Sequence, residues 1–88
     1  LYTSKEDFFN IFSHPLIQGT FVDLGVGTGE SCLLYGSLYP EREAIGIEFQ
    51  ASRLNQGREF QKKFGMKNVT LLEGDLERTS IPKGDTYF

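Results

Sequence analysis

The sequence predicts an α/β fold, a doubly wound parallel sheet of about four strands in the order 3-2-1-4, with helices on both faces. Three observations carry this. Short β-branched and aromatic runs (TFVDL, AIGIEF, NVTLLEGD and DTYF) alternate with longer stretches at helical spacing. Strands that alternate with helices imply crossover units and a parallel sheet. Right-handed crossovers leave few topologies, and the best of them puts the first strand in the centre with the fourth beside it.

Each element has a local reason. Ser4 can cap a first helix through its hydroxyl, and Glu6 and Asp7 then sit where the helix dipole favours acids. Phe8, Ile11 and Phe12 share one helical face, and Pro15 ends the helix by disfavouring that conformation at His14. TFVDL is the first strand and GVGTG the turn after it. A helix starts near Thr28–Glu30 and is stopped by Pro40. AIGIEF follows as the second strand, with Ile45 and Ile47 on one side and Ala44 and Gly46 on the other. The next helix covers about residues 50–64, with Leu54, Gly57, Phe60 and Phe64 on one face. Gly57 lowers helix propensity on that buried face, so close packing against the sheet is its expected reason. Gly65 ends the helix as a left-handed cap. NVTLLEGD is the third strand and its exit, LERTSIPKG a polar loop, and DTYF the start of a fourth strand.

Composition narrows the function classes. With 88 residues the chain holds one core of marginal stability. Its apolar content of 39% makes it globular, not disordered. The net charge of -3 gives no electrostatic support to a nucleic-acid backbone or an anionic membrane as partner, so nucleic acid is not expected. The single cysteine, Cys32, excludes an internal disulfide and a cysteine-built zinc site, and no metal is expected. It fits a reducing compartment, and the expected location is cytoplasmic. No apolar run approaches the roughly 20 residues of a spanning helix, and no signal peptide is evident. The start at Leu1 and the end at Phe88 read as cuts in a longer protein, leaving an unfinished sheet edge through which the piece is expected to self-associate.

In such a sheet a ligand sits beyond the carboxyl ends of the strands, beside the first strand. Every strand end here carries an acid: Asp23 before the glycines and Glu30 after them, Glu48 with Phe49, and Glu73 with Asp75 and Leu76. Gly25, Gly27 and Gly29 let the chain turn sharply and a ligand approach closely. A dinucleotide fingerprint needs its last glycine at position 30, where this chain has Glu30, an anion that opposes a pyrophosphate. No Gly-Lys-Ser/Thr follows the turn, so a P-loop fails too. Glu48, about 20 residues on, stands where an acid accepts both ribose hydroxyls. Asp75 accepts from an adenine amino group or is a turn residue; both readings stand. A ligand with a ribose, an adenine and no phosphate, and with cationic character, fits these acids; S-adenosylmethionine has all of these.

At this point VDLGVGTGE, GIEF and NVTLLEGDL resemble the class I (Rossmann-like) S-adenosylmethionine-dependent methyltransferases. DTYF looks like the start of their fourth strand, and the likeness covers about residues 20–88. The resemblance implies residues 1–19 as an N-terminal helix and connector, and 20–88 as the cofactor-binding part of one methyltransferase domain. It implies that Gly25, Gly27 and Gly29 pack against the methionine part, with Asp23 and Glu30 oriented toward its ammonium. It implies Glu48 on the ribose, Phe49 near the adenine, and Asp75 with Leu76 at the adenine edge. The same words are loosely similar to the non-SET histone lysine methyltransferases. The methyl acceptor, a small molecule or a protein, is not identified, and no catalytic base is named.

Blander readings accompany these. His14 reads as a loop residue and Cys32 as a packed core thiol. Arg53, Arg58, Lys62, Lys63 and Lys67 read as a solvated basic helix surface. Phe8 and Thr3 are weaker candidates for covering the cofactor. Two other functions compete with methyl transfer: a degenerate module without activity, and an NAD(P)-binding oxidoreductase fragment, which Glu30 disfavours.

Overall fold

The computed structural model describes residues 10–13, 18–25, 27–75 and 82–87. Strand β1 (Phe21–Leu24) is followed by helix α1 (Glu30–Leu38), β2 (Ala44–Glu48), α2 (Ala51–Lys63), β3 (Val69–Glu73) and β4 (Thr86–Tyr87). The strands form one parallel sheet in the order β3-β2-β1-β4. The four predicted strands, the two predicted helices between them and the strand order are therefore those observed, while the first predicted helix lies outside the described residues except for residues 10–12. The predicted cap at Ser4, and His14, Pro15, Thr3, Phe8 and Leu76, lie outside the described residues.

The register sorts the side chains. Phe21 lies beside Ala44 and Ala44 beside Val69; two residues on, Asp23 lies beside Gly46 and Gly46 beside Leu71. Alternation puts these on one face and Val22, Ile45 and Ile47 on the other. The main core forms on the first face, where Phe21, Ala44, Val69 and Leu71 meet Cys32 and Tyr35 of α1 and Leu54 of α2. Both described helices pack on this face and line a common cleft, so within the described residues the helices lie on one face, not two. The cause is geometric. Moving from β1 to β2 to β3 steps twice in one direction, and two right-handed crossovers in one direction fall on the same side.

An aromatic cluster closes the amino-terminal end of the sheet. Residues 10–12 are helical, and the Phe12 ring meets Phe21 and Tyr35 edge-on with centroids 5.1 Å away in each case. Phe21 and Tyr35 stack at 4.9 Å. Complete burial of a side chain of this size contributes about 1.5–3 kcal/mol. Two tyrosine hydroxyls reach backbone acceptors: that of the buried Tyr35 donates to the Gly19 carbonyl at 2.6 Å and that of the half-buried Tyr39 to the Phe12 carbonyl at 2.7 Å. Asn68 Nδ2 lies 3.0 Å from the carbonyls of Gly36 and Arg42, satisfying the end of α1 and the turn that enters β2.

The predicted face of α2 is buried only in part. Leu54 and Gly57 are buried, but Phe60 is 46% and Phe64 60% exposed, and their rings tilt onto each other at 4.6 Å. Phe60 turns into the cleft between the two helices, while Gln61 next to it still donates to the Val69 carbonyl of β3. Gly57 itself presses on the glycine turn: a Cβ there would stand 2.1 Å from the Thr28 carbonyl oxygen and 2.9 Å from Leu71 Cδ1. The first neighbour is backbone and cannot rotate away. Gly57→Ala should therefore destabilise the protein by about 1–3 kcal/mol despite alanine's better helix propensity. Urea unfolding checks this; unchanged or raised stability would contradict the packing described.

Candidate functional site

The parallel strands bring the ends of β1, β2 and β3 to one edge of the sheet. There β1 leaves through Gly25, Gly27 and Gly29, whose φ angles are 86°, 64° and 88°. All three lie in the left-handed region, which side chains with a Cβ avoid. The turn carries the chain back over the sheet edge into α1, where Gly29 is the N-cap without a side-chain cap.

Glu48 organises this edge. It is 6% exposed at the end of β2. Its Oε1 accepts the Gly27 N–H at 2.9 Å and its Oε2 accepts the Gln50 N–H at 2.8 Å. One carboxylate thus pins the glycine turn and the entry to α2. A carboxylate offers about four lone-pair positions, so two more donors can be accepted without breaking either bond. Phe49, next in the chain, is 69% exposed and leaves a flat apolar ring open to solvent. The Gly74 N–H donates to the Glu48 carbonyl at 2.9 Å, which brings the half-buried Asp75 up to the end of β2. Gly25, Gly27, Gly29, Glu48, Phe49 and Asp75 are therefore gathered at one edge.

Two further predicted residues make contacts of their own within the fold. Asp23, 7% exposed, accepts the Ser31 hydroxyl and so braces the first turn of α1 against β1. Burial raises its pKa, and the bond from Ser31 opposes that rise only in part. The same environment, with the Asp23 charge, pushes the Cys32 thiol up to about 12, so it stays protonated and inert at neutral pH. Glu30 faces sideways. It lines a cleft of about 340 Å³ between α1 and α2, and its Oε1 is buried there with no hydrogen-bond partner among the described residues.

Ser31, the Gln50 N–H and Arg53 were not anticipated from the sequence. Arg53 Nη1 lies 3.9 Å from where a Gly27 Cβ would stand, beside the turn. A serine directly after the last acid of the turn was the only available hint for Ser31; nothing in the spacing marks the other two. Among the described residues no group of three or more His, Cys, Asp or Glu could hold a metal, and no helix is long and apolar enough to cross a membrane. The edge offers a buried acceptor, a flat ring and open glycine backbone. That combination suits a nucleoside without a polyphosphate.

Comparison with known proteins agrees with this geometry. The profile of the Methyltransferase domain family matches residues 18–86. The tRNA (guanine-N(7)-)-methyltransferase of Porphyromonas gingivalis is 35% identical over 71 residues, covering 81% of this chain and 27% of that protein. Its namesake in Bacteroides thetaiotaomicron is 31% identical over 64 residues, covering 73% and 24%. The chain thus spans about a quarter of the length of these relatives. They are named for a tRNA base, not a histone lysine, and they run against the charge-based expectation that sets nucleic acid aside. Net charge sums the whole chain, whereas α2 alone carries Arg53, Arg58, Lys62 and Lys63 against Glu59. Among solved structures, an RNA methyltransferase from Salinibacter ruber in complex with S-adenosyl-L-homocysteine superposes with a TM-score of 0.78 at 21% identity, covering 90% of this chain and 53% of that one.

The buried Asp23 has a pH signature. Its pKa is raised above the ordinary 3.8 on folding, so its stabilising balance is complete below that value and is lost as pH rises through the folded value. Asp23→Asn keeps an acceptor for Ser31 and removes the charge. Its stability relative to wild type should therefore increase as pH climbs above about 3.8 and level off once pH has passed the folded pKa. Urea unfolding across that range checks this; a pH-independent difference would contradict a buried, charge-penalised Asp23.

Proposed function

The chain belongs to the Methyltransferase domain family, and on that premise we propose that it forms the S-adenosylmethionine-binding part of a methyltransferase. The observation that carries the proposal is Glu48. It is a buried carboxylate at the end of β2, held by two backbone N–H groups, with capacity for two hydroxyl donors and an exposed aromatic ring next in the chain. A ribose needs that acceptor and an adenine that ring. The glycine turn offers backbone free of Cβ atoms to the amino-acid end of the cofactor, and Asp75 an acceptor at the adenine edge. Asp23 contributes a negative charge beneath the start of α1, where an ammonium is favoured over a phosphate. When bound, S-adenosylmethionine supplies a methyl group activated by its sulfonium.

The chain's own contribution is orientation. Fixing the nucleoside at Glu48 and Phe49 and the amino-acid end at the glycines leaves the methyl group one direction of approach, and alignment is the main source of rate in such a displacement. We favour a tRNA guanine N7 as acceptor, because the relatives at 30% identity or above bear that name. That nitrogen carries an in-plane lone pair and loses no proton on attack, so no general base is required. The basic residues of α2 are available to phosphates of such a substrate.

Calorimetric titration of the intact protein tests the cofactor, with S-adenosylhomocysteine as ligand and NADH as control. Saturable binding of the first alone is expected. Gly27→Val forces a β-branched residue to a φ of 64° and Glu48→Gln removes one of two acceptor oxygens. Each should weaken binding roughly tenfold or more, equivalent to about 1.4 kcal/mol. Unaltered affinity in both, or binding of NADH alone, would overturn the assignment. Formation of 7-methylguanosine in tRNA, read by mass spectrometry, tests the acceptor separately.

A further inference from the structure

We propose that Ser31 is a positioning residue for the cofactor: its hydroxyl holds one oxygen of Asp23 and so presents the other to the ammonium of the amino-acid end. This rests on the reading of the strand-end edge as an S-adenosylmethionine site. Two acids flank the glycine turn, and the fold separates their tasks. Glu30 faces the cleft between α1 and α2. Asp23 is left as the acid at the end of β1, beneath the start of α1, where the glycine turn re-enters the fold. Ser31 stands in the first turn of that helix, so it fixes the carboxylate against the segment expected to carry the amino-acid end.

The hydrogen bonding of Asp23 is incomplete. Asp23 is 7% and Ser31 3% exposed, so both partners are withdrawn from water. A carboxylate accepts about four hydrogen bonds. Among the described residues Asp23 receives one, from Ser31 to Oδ2. Its Oδ1 has no partner there and, unlike Glu30 Oε1, is not sealed from solvent. No described cation pairs with it; the ion pair among the described residues joins Arg42 to Glu41. Gly46, beside it on β2, brings no side chain, and Cys32 of α1 stays a neutral thiol. One hydroxyl does not offset the burial of a full charge, which agrees with the raised pKa of Asp23. A strut that only joined β1 to α1 would need no charge, because an asparagine oxygen accepts the Ser31 hydroxyl as well. The partner that the carboxylate lacks is a cationic donor, and the cofactor's ammonium is one.

Calorimetric titration of the intact protein with two ligands reads the contact. One is S-adenosylhomocysteine, the other its deamino analogue, in which a hydrogen replaces the ammonium. The ratio of their affinities cancels groups that act on both ligands alike. The wild type should bind S-adenosylhomocysteine roughly tenfold more tightly than the analogue at neutral pH. That preference should be lost as pH falls through the folded pKa of Asp23, where the carboxylate takes up a proton. Ser31→Ala should reduce the preference roughly threefold or more. It also removes the bond that favours the ionised form, so the loss should move to higher pH. A merely structural Ser31 would weaken both ligands equally and leave the ratio and its pH profile in place. Ser31→Cys, of similar size but with a weak S–H donor, gives a second reading if Ser31→Ala unfolds. An unchanged ratio in the folded Ser31 variants, with the preference abolished in Asp23→Asn, would overturn the role of Ser31 alone. Equal affinity of the wild type for the two ligands would overturn the contact with the ammonium. Failure of the wild type to bind either would overturn the cofactor reading beneath it.

Discussion

One carboxylate fixes the working edge of this molecule. Glu48 is withdrawn from solvent at the end of β2, and the cost of burying its charge is offset by the N–H groups of Gly27 and Gln50. Those two bonds connect three segments that are remote in sequence: the glycine turn, the second strand and the entry to α2. Without them the turn keeps its bond from the Gly25 N–H to the Ile47 carbonyl but loses its link to the entry of α2. The group proposed to recognise a ribose is therefore also the group that shapes the glycine turn beside it.

Packing continues what Glu48 begins. The glycine turn is held from below by α2, because Gly57 lets the helix backbone come against the Thr28 carbonyl. Leu71 touches both sides of this junction, lying within 3.1 Å of a Cβ built at Gly29 and 2.9 Å of one built at Gly57. Asp23 and Ser31 add a polar strut between β1 and the start of α1. A site built on strand ends and helix starts, with its loop pinned by hydrogen bonds and backbone contact, is preorganised before any ligand arrives.

The strand order and element positions were legible because each rests on local signals: β-branched runs, helical spacing, and glycine or proline at the boundaries. Gly65, with a φ of 60°, caps α2 as its position implied. The gathering of Gly25, Gly27, Gly29, Glu48, Phe49 and Asp75 was legible too, since parallel strands bring their ends to one edge. What was not legible depends on how elements lie against each other. Glu30 turns into the interhelical cleft because it falls on the 30, 33, 34, 37 stripe of α1, one position off the face that Ser31 presents to Asp23. Phe60 and Phe64 share a helical face with Leu54, yet Phe60 lines the open cleft between the helices and both rings remain exposed. Helices on one face follow from the direction of the crossovers, which the order of elements alone leaves unstated.

A net charge of -3 describes the chain as a whole, while α2 alone carries Arg53, Arg58, Lys62 and Lys63 against one acid, and Asp23, Glu48, Glu73 and Asp75 stand at the strand ends. A nucleoside cofactor at the acidic edge and an RNA acceptor drawn to basic surface are compatible within one sheet-and-helix frame. The crystal structure of the intact protein with S-adenosylhomocysteine tests the central claim most directly. The account predicts both ribose hydroxyls donating to Glu48 while its bonds from Gly27 and Gln50 persist, with the adenine over Phe49. A ribose bound away from Glu48, or a Glu48 that must release the glycine turn to bind it, would contradict it.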